Sequence, residues 1–171
     1  AASAGMWNLP GAYAAPSPTS AAETAVGRFY ASLSEDQKKT ICFQFADPLR
    51  QKINANWHIT KPTVGNSFYT ADQRKIIDEI VKNVTSPDGY ERLKQQMEFD
   101  AGGINDFSIA MFGEPGKSAF EWELTGRHLT LRADGNSVDQ AAFGGPIIYG
   151  HGEEDHKKNL YYYQTLQVNE V

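Results

Sequence analysis

The chain has 171 residues, enough for one domain with a real core and too few to expect two. Its 16 basic and 21 acidic residues give a net charge of -5, which argues against nonspecific binding to nucleic acid or anionic membranes. No apolar run approaches the ~20 residues of a membrane span, and the single cysteine, Cys42, excludes an internal disulfide framework.

Residues 1–19 are small, proline-rich and without amphipathic period, so they read as an extended arm or linker ahead of one domain over 20–171. The Ala-rich opening has neither the basic nor the apolar region of an intact signal peptide. It suits a mature N-terminus left by cleavage at a small-residue site. Three helix starts then follow with capping-box spacing: Ser20 with Glu23, Ser34 with Gln37, and Thr70 with Gln73. The first helix should run to about Leu33 and bury Val26, Phe29, Tyr30 and Leu33. The second should reach about Phe45, carrying Cys42 as a buried thiol. Asp47-Pro48 ends it and starts a short helical turn through Ile53.

Asn56–Ile59 reads as a short strand. The third helix shows the cleanest apolar stripe: Ile76, Ile77, Ile80, Val81 and Val84. Ser86-Pro87 supplies the N-cap and first position of a fourth helix, which ends at Gly102-Gly103. From Phe107 to Phe112 the pattern returns to strand. Strict alternation follows on both sides of Thr125-Gly126, the mark of two half-buried strands in a hairpin. With Thr125-Gly126 as the turn, Phe120, Trp122, Leu129 and Leu131 face the core. Glu121, Glu123, His128, Thr130 and Arg132 share the other, solvated face, where Glu123 lies opposite His128. A DGN turn, the Gly144-Gly145-Pro146 loop, the apolar run Ile147-Ile148-Tyr149 and a helix from about Lys157 complete the chain. The expected class is α+β, with N-terminal helices packed on a small antiparallel sheet and a closing C-terminal helix.

The hairpin's polar face is where chemistry concentrates. Glu123 and His128, as cross-strand neighbours, could act as an acid/base pair, with Arg132 orienting an anionic group. The same Glu123 and His128 with His151 could ligate a divalent metal, although no H-E-x-x-H, paired-cysteine or EF-hand spacing is present. His58 and His156 stand outside this grouping. No G-x-S-x-G occurs, and nothing places Cys42 beside a histidine.

Several stretches carry a resemblance: GRHLTLR, FGGPIIYGH, NLYYYQTLQVNEV, LSEDQKKTICFQFADPLRQ and NWHIT. Together they resemble the bacterial family called domain of unknown function 3500, over roughly Leu33 to Val171. Members are often longer and secreted, so the resemblance implies a periplasmic or extracellular location and a chain that could be part of a longer one. Many carry two adjacent histidines where this chain has Arg127-His128, so only His128 carries over. No activity comes with the resemblance. Two classes of function therefore stay open. One is an enzyme acting on a small molecule through Glu123, His128 and Arg132. The other is a non-catalytic binding or structural module that meets its partner through Trp7, Trp57 and Tyr161–Tyr163. The polar, convergent constellation favours the enzyme.

Overall fold

The computed structural model describes residues 21–54 and 56–135, and the backbone of 147–149. The first helix is α1 (Ala21–Ser32), which buries Ala22, Ala25, Val26 and Phe29. Its expected cap, Ser20, lies outside the described residues. Ser34 and Gln37 form the capping box that opens α2 (Glu35–Ile41). Contrary to expectation, α2 ends at Ile41 rather than near Phe45. Cys42 is already extended, and Cys42–Phe43 forms β1, which pairs parallel with Met111–Phe112. The reason is visible in ICFQF, whose alternation serves a strand. Cys42 packs toward the helical core, while Phe43 and Phe45 pack on the other side of the sheet.

Asp47 caps a 3-10 turn, Pro48–Gln51, as the Asp-Pro pair implies. The stretch 56–59 is not a strand; it makes one isolated bridge, Asn56 to Arg127. Thr70 and Gln73 open α3 (Ala71–Asn83) with a second capping box. Ser86 and Pro87 open α4 (Pro87–Ala101), which closes on Gly102 at φ 75. A 3-10 turn, Ile104–Asp106, leads into the sheet proper: β2 (Ser108–Gly113), β3 (Phe120–Gly126), β4 (Leu129–Gly135) and β5 (Ile147–Tyr149).

The strands lie in the order β1-β2-β3-β4-β5, antiparallel throughout except for the parallel β1 edge. This is the α+β class, with helices on one face of a small sheet; the closing helix from Lys157 lies outside the described residues. Ile109, Met111, Phe120, Trp122, Leu124, Leu129, Leu131 and Ala133 join the helical residues Phe29, Ile77, Ile80 and Leu93 in one core. At ~25 cal/mol per Å2 of apolar area removed from water, this layer is the main stabilising contact of the fold.

The hairpin turn is Arg127-His128, not Thr125-Gly126. Gly126 pairs with Leu129, Thr125 with Thr130, Leu124 with Leu131 and Glu123 with Arg132. Gly126 is a packing glycine: a Cβ there would overlap the Phe107 ring. The left-handed turn residue is His128, at φ 62, a conformation that costs a non-glycine residue on the order of 1 kcal/mol. The two registers differ by an even number of residues, so the expected faces survive while every partner changes.

The second face was expected to be solvated. Instead, the chain from Phe43 to Thr60 crosses it as an irregular cover. Ile59, Ala110 and Phe112 form a small second core with Phe43, Phe45, Leu49 and Trp57. Hydrogen bonds between cover and sheet pin the cover in place. Thr130 accepts from Trp57 Nε1 at 2.9 Å, Thr125 Oγ1 accepts from Ile59 N at 2.8 Å, and Thr60 Oγ1 donates to the Ile109 carbonyl at 2.9 Å.

Candidate functional site

Under that cover, four ionisable side chains occupy adjacent points of one sheet face. Glu121 and Glu123 are two apart on β3; their cross-strand partners on β4 are Asp134 and Arg132. Alternation on each strand points all four the same way. On the neighbouring strand β2 the corresponding positions are Phe112 and Ala110, which carry no charge. A fifth group, Arg50, descends from the cover.

Glu121 and Glu123 are both fully buried, yet the two arginines divide unequally between them. Arg132 holds Glu121 in a fork, Nε to Oε1 at 2.6 Å and Nη2 to Oε2 at 2.7 Å, and Arg50 Nη1 adds a third bond to Oε2 at 3.0 Å. Glu123 has only the edge of the same guanidinium, with Arg132 Nε 3.5 Å from Oε1. Among the described residues, no donor hydrogen-bonds to either Glu123 oxygen.

Burial alone would push Glu121 up, but the hydrogen bonds and charge of Arg132 reverse this and hold the carboxyl low, at about 2. Burial pushes Glu123 up to about 9, and the neighbouring Glu121 charge adds to the rise. Two carboxyls can hydrogen-bond only if one keeps a proton, and the arginines place that proton on Glu123. Asp134, half-buried beside Glu121, is raised to about 7, by burial first and then by Glu121. The result is an ionised carboxylate and a protonated carboxyl side by side in a water-poor site. Glu123 thus holds a proton through neutral pH, and Asp134, raised to about 7, is the member that exchanges one there.

The structure brings together Glu123 and Arg132 from the expected set, and sets His128 in a different place. His128 stands in the turn, where its Nδ1 lies 3.1 Å from Asp100 Oδ2. Asp100 is the second-last residue of α4, with its side chain 2% exposed. A carboxylate near a helix C-terminus opposes the helix dipole, and the imidazole provides the compensating contact. His151 lies outside the described residues, as do His156 and the Gly144-Gly145-Pro146 loop. Among the described residues, no group of three or more His, Cys, Asp or Glu side chains is arranged to hold a metal ion.

His58 is exposed and its Nε2 meets the Asp106 carbonyl at 2.7 Å. Cys42 is half-buried, and burial pushes its thiol up to about 11, which keeps it from acting as a ready nucleophile. Sequence reasoning missed Asp134 and Asp100, and reads Arg50 only as a surface charge. Asp134 was within reach, since it continues the alternation Thr130, Arg132 by one step. Arg50 meets Glu121 across a sequence separation of 71 residues, and no local pattern announces that.

A family model described as "Protein of unknown function (DUF3500)" matches residues 15–159. No curated protein matches the chain, and no solved structure does.

Proposed function

Because the chain belongs to the DUF3500 family, whose description names no activity, we propose a function from the site itself: an enzyme that works by proton transfer. Glu123 is the general acid, Asp134, raised to about 7, is the group able to take a proton, and ionised Glu121 is the fixed charge beside both. Arg132 and Arg50 fix which carboxyl is charged. The substrate is a small molecule that enters where Arg50, Arg132 and Asp134 are partly open to solvent, with Arg side chains 18% and 13% exposed.

One observation carries this reading. Glu123 is fully buried, without a hydrogen-bond donor among the described residues, beside a carboxylate that two arginines keep ionised. An unpaired buried charge is costly, so the group keeps its proton to neutral pH and is poised to release it.

The test has two parts. At pH 8, above Asp134 and below Glu123, infrared spectroscopy should show a protonated-carboxyl band that is lost in Glu123→Gln. Turnover of chromogenic esters, amides or glycosides should also be lost in that variant while its circular dichroism is unchanged. No such band in the intact protein, or equal turnover by Glu123→Gln, overturns the proposal.

The metal-assisted version, with Glu123, His128 and His151 as ligands, is separated by elemental analysis of the purified protein, where stoichiometric metal would replace the proton-transfer scheme. A periplasmic or extracellular location belongs to the same reading. It is tested by fractionating the producing cells.

A non-catalytic structural module is the second reading. It is favoured by the saturation of Glu121, which takes two guanidinium bonds from Arg132 within the sheet and a third from Arg50 that clasps the cover to it. Under it, Glu123→Gln changes stability and no chemistry.

A further inference from the structure

Away from the carboxyl site, a cavity of about 380 Å3 opens at the end of β1, between α1, α2 and the β2–β3 connection. Tyr30, Phe43 and Phe45 line it, together with Lys38, Cys42 and Glu114. Its volume falls in the range of small-molecule pockets.

Lys38 is the informative residue. Its side chain is only 29% exposed, although its ion-pair partner Glu35, at 3.3 Å, is 83% exposed. The ammonium stands 5.0 Å from the centroid of the Tyr30 ring. A pair with so exposed a carboxylate is weak and exchanges readily for another anion. A partly covered cation over the Tyr30 ring, in a cavity that Phe43 and Phe45 also line, is a complementary setting for an anion attached to a flat apolar group.

We infer that this cavity binds a small organic monocarboxylate with a planar apolar body. Lys38 takes the carboxylate, and Tyr30, Phe43 and Phe45 take the body. Glu114, paired with Lys117 at 2.7 Å, puts a carboxylate in the lining, where a second one is disfavoured. The site is independent of the proton-transfer reading, and either can fail alone.

Cys42 is the natural reporter, being the only cysteine and part of the lining. The intact chain is treated with iodoacetamide at alkaline pH, and the rate of Cys42 alkylation is followed with benzoate, benzyl alcohol or benzylamine present. At about ten times its dissociation constant, benzoate should slow alkylation about tenfold, while the neutral and cationic analogues should leave the rate unchanged. Lys38→Gln should abolish the protection, Lys38→Arg should keep it, and Glu114→Gln should keep or strengthen it. Absence of protection by benzoate, equal protection by benzyl alcohol, or protection that survives Lys38→Gln overturns the inference. Because Lys38→Arg preserves the charge, it separates a lost anion contact from a damaged fold.

Discussion

Glu121 and Glu123 are chemically identical, equally buried and two residues apart, yet they hold opposite protonation states. Arginine geometry makes the difference: three hydrogen bonds reach one carboxyl, and a single 3.5 Å approach reaches the other. The sign of the consequence follows from linkage. Between the ordinary value of 4.5 and about 9, folded Glu123 holds a proton that the unfolded chain has released. The folded state binds more protons there, so its contribution to stability declines as pH rises through that window. Glu123→Gln removes this decline. Urea midpoints measured from pH 5 to 9 should therefore fall less steeply in the variant than in the parent. Equal slopes would place the buried proton on another group.

At the same scale, Trp122 is fully buried in the helix-facing core. Trp122→Ala should cost ~3–5 kcal/mol through lost burial and the cavity left behind, read as a drop in the denaturation midpoint. This facing was legible in the sequence because alternation determines which side a residue is on. The partner across the strand was not, because a hairpin slipped by an even number of residues keeps every face intact. Thr125-Gly126 has the composition of a turn, and only the Phe107 ring lying over Gly126 shows what that glycine is for.

Between elements, the two capping boxes do more than start helices. Gln37 and Gln73 each accept from their own N-cap backbone N–H, at 2.9 and 3.0 Å. Each also donates to the other's carbonyl, at 2.9 and 3.0 Å, and donates its second N–H to a backbone carbonyl, Phe68 for Gln37 and Ser32 for Gln73. The amide pair is thus fully satisfied while buried, and it locks α2 to α3. Either substitution to Ala strands the other amide and should cost ~1–3 kcal/mol. The double substitution should cost less than the two added together, by ~1 kcal/mol. Strict additivity in a double-mutant cycle would show that the amides act separately. Both boxes could be read from S-x-x-Q and T-x-x-Q spacing. Their meeting could not, because nothing in a capping box says which helices become neighbours. Likewise ICFQF reads locally as helix because α2 precedes it without a breaker, and the tertiary pairing of β1 overrides that local signal.

For the whole molecule, the two layers differ in how far their sequence signals reach. The helical layer and the β2–β3–β4 meander follow from capping, stripes and alternation, all local. The cover does not, since the stretch from Phe43 to Thr60 has little regular structure and is held by side chains of strands far along the chain. The expected solvated face was therefore a reasonable reading of alternation with the wrong surroundings. Charged residues on a strand look the same whether water or an irregular strap lies over them.

That long-range strap sets an order of events. The meander closes through short connections, whereas β1 with β2, and Arg50 with Glu121, join parts of the chain about seventy residues apart and incur a larger loop-closure entropy. Helices and meander can assemble first, leaving Glu121 and Glu123 in water with ordinary acidities. Docking of the strap then encloses them, and Glu123 must capture a proton from the solvent at that moment. Refolding in weak buffer near neutral pH should therefore make the solution more alkaline during the slow, strap-docking phase. An indicator dye in a stopped-flow mixer would record it, and in Glu123→Gln that signal should shrink while the phase itself remains. Proton uptake, most of it by Glu123, would thus mark the instant at which the interior becomes dry.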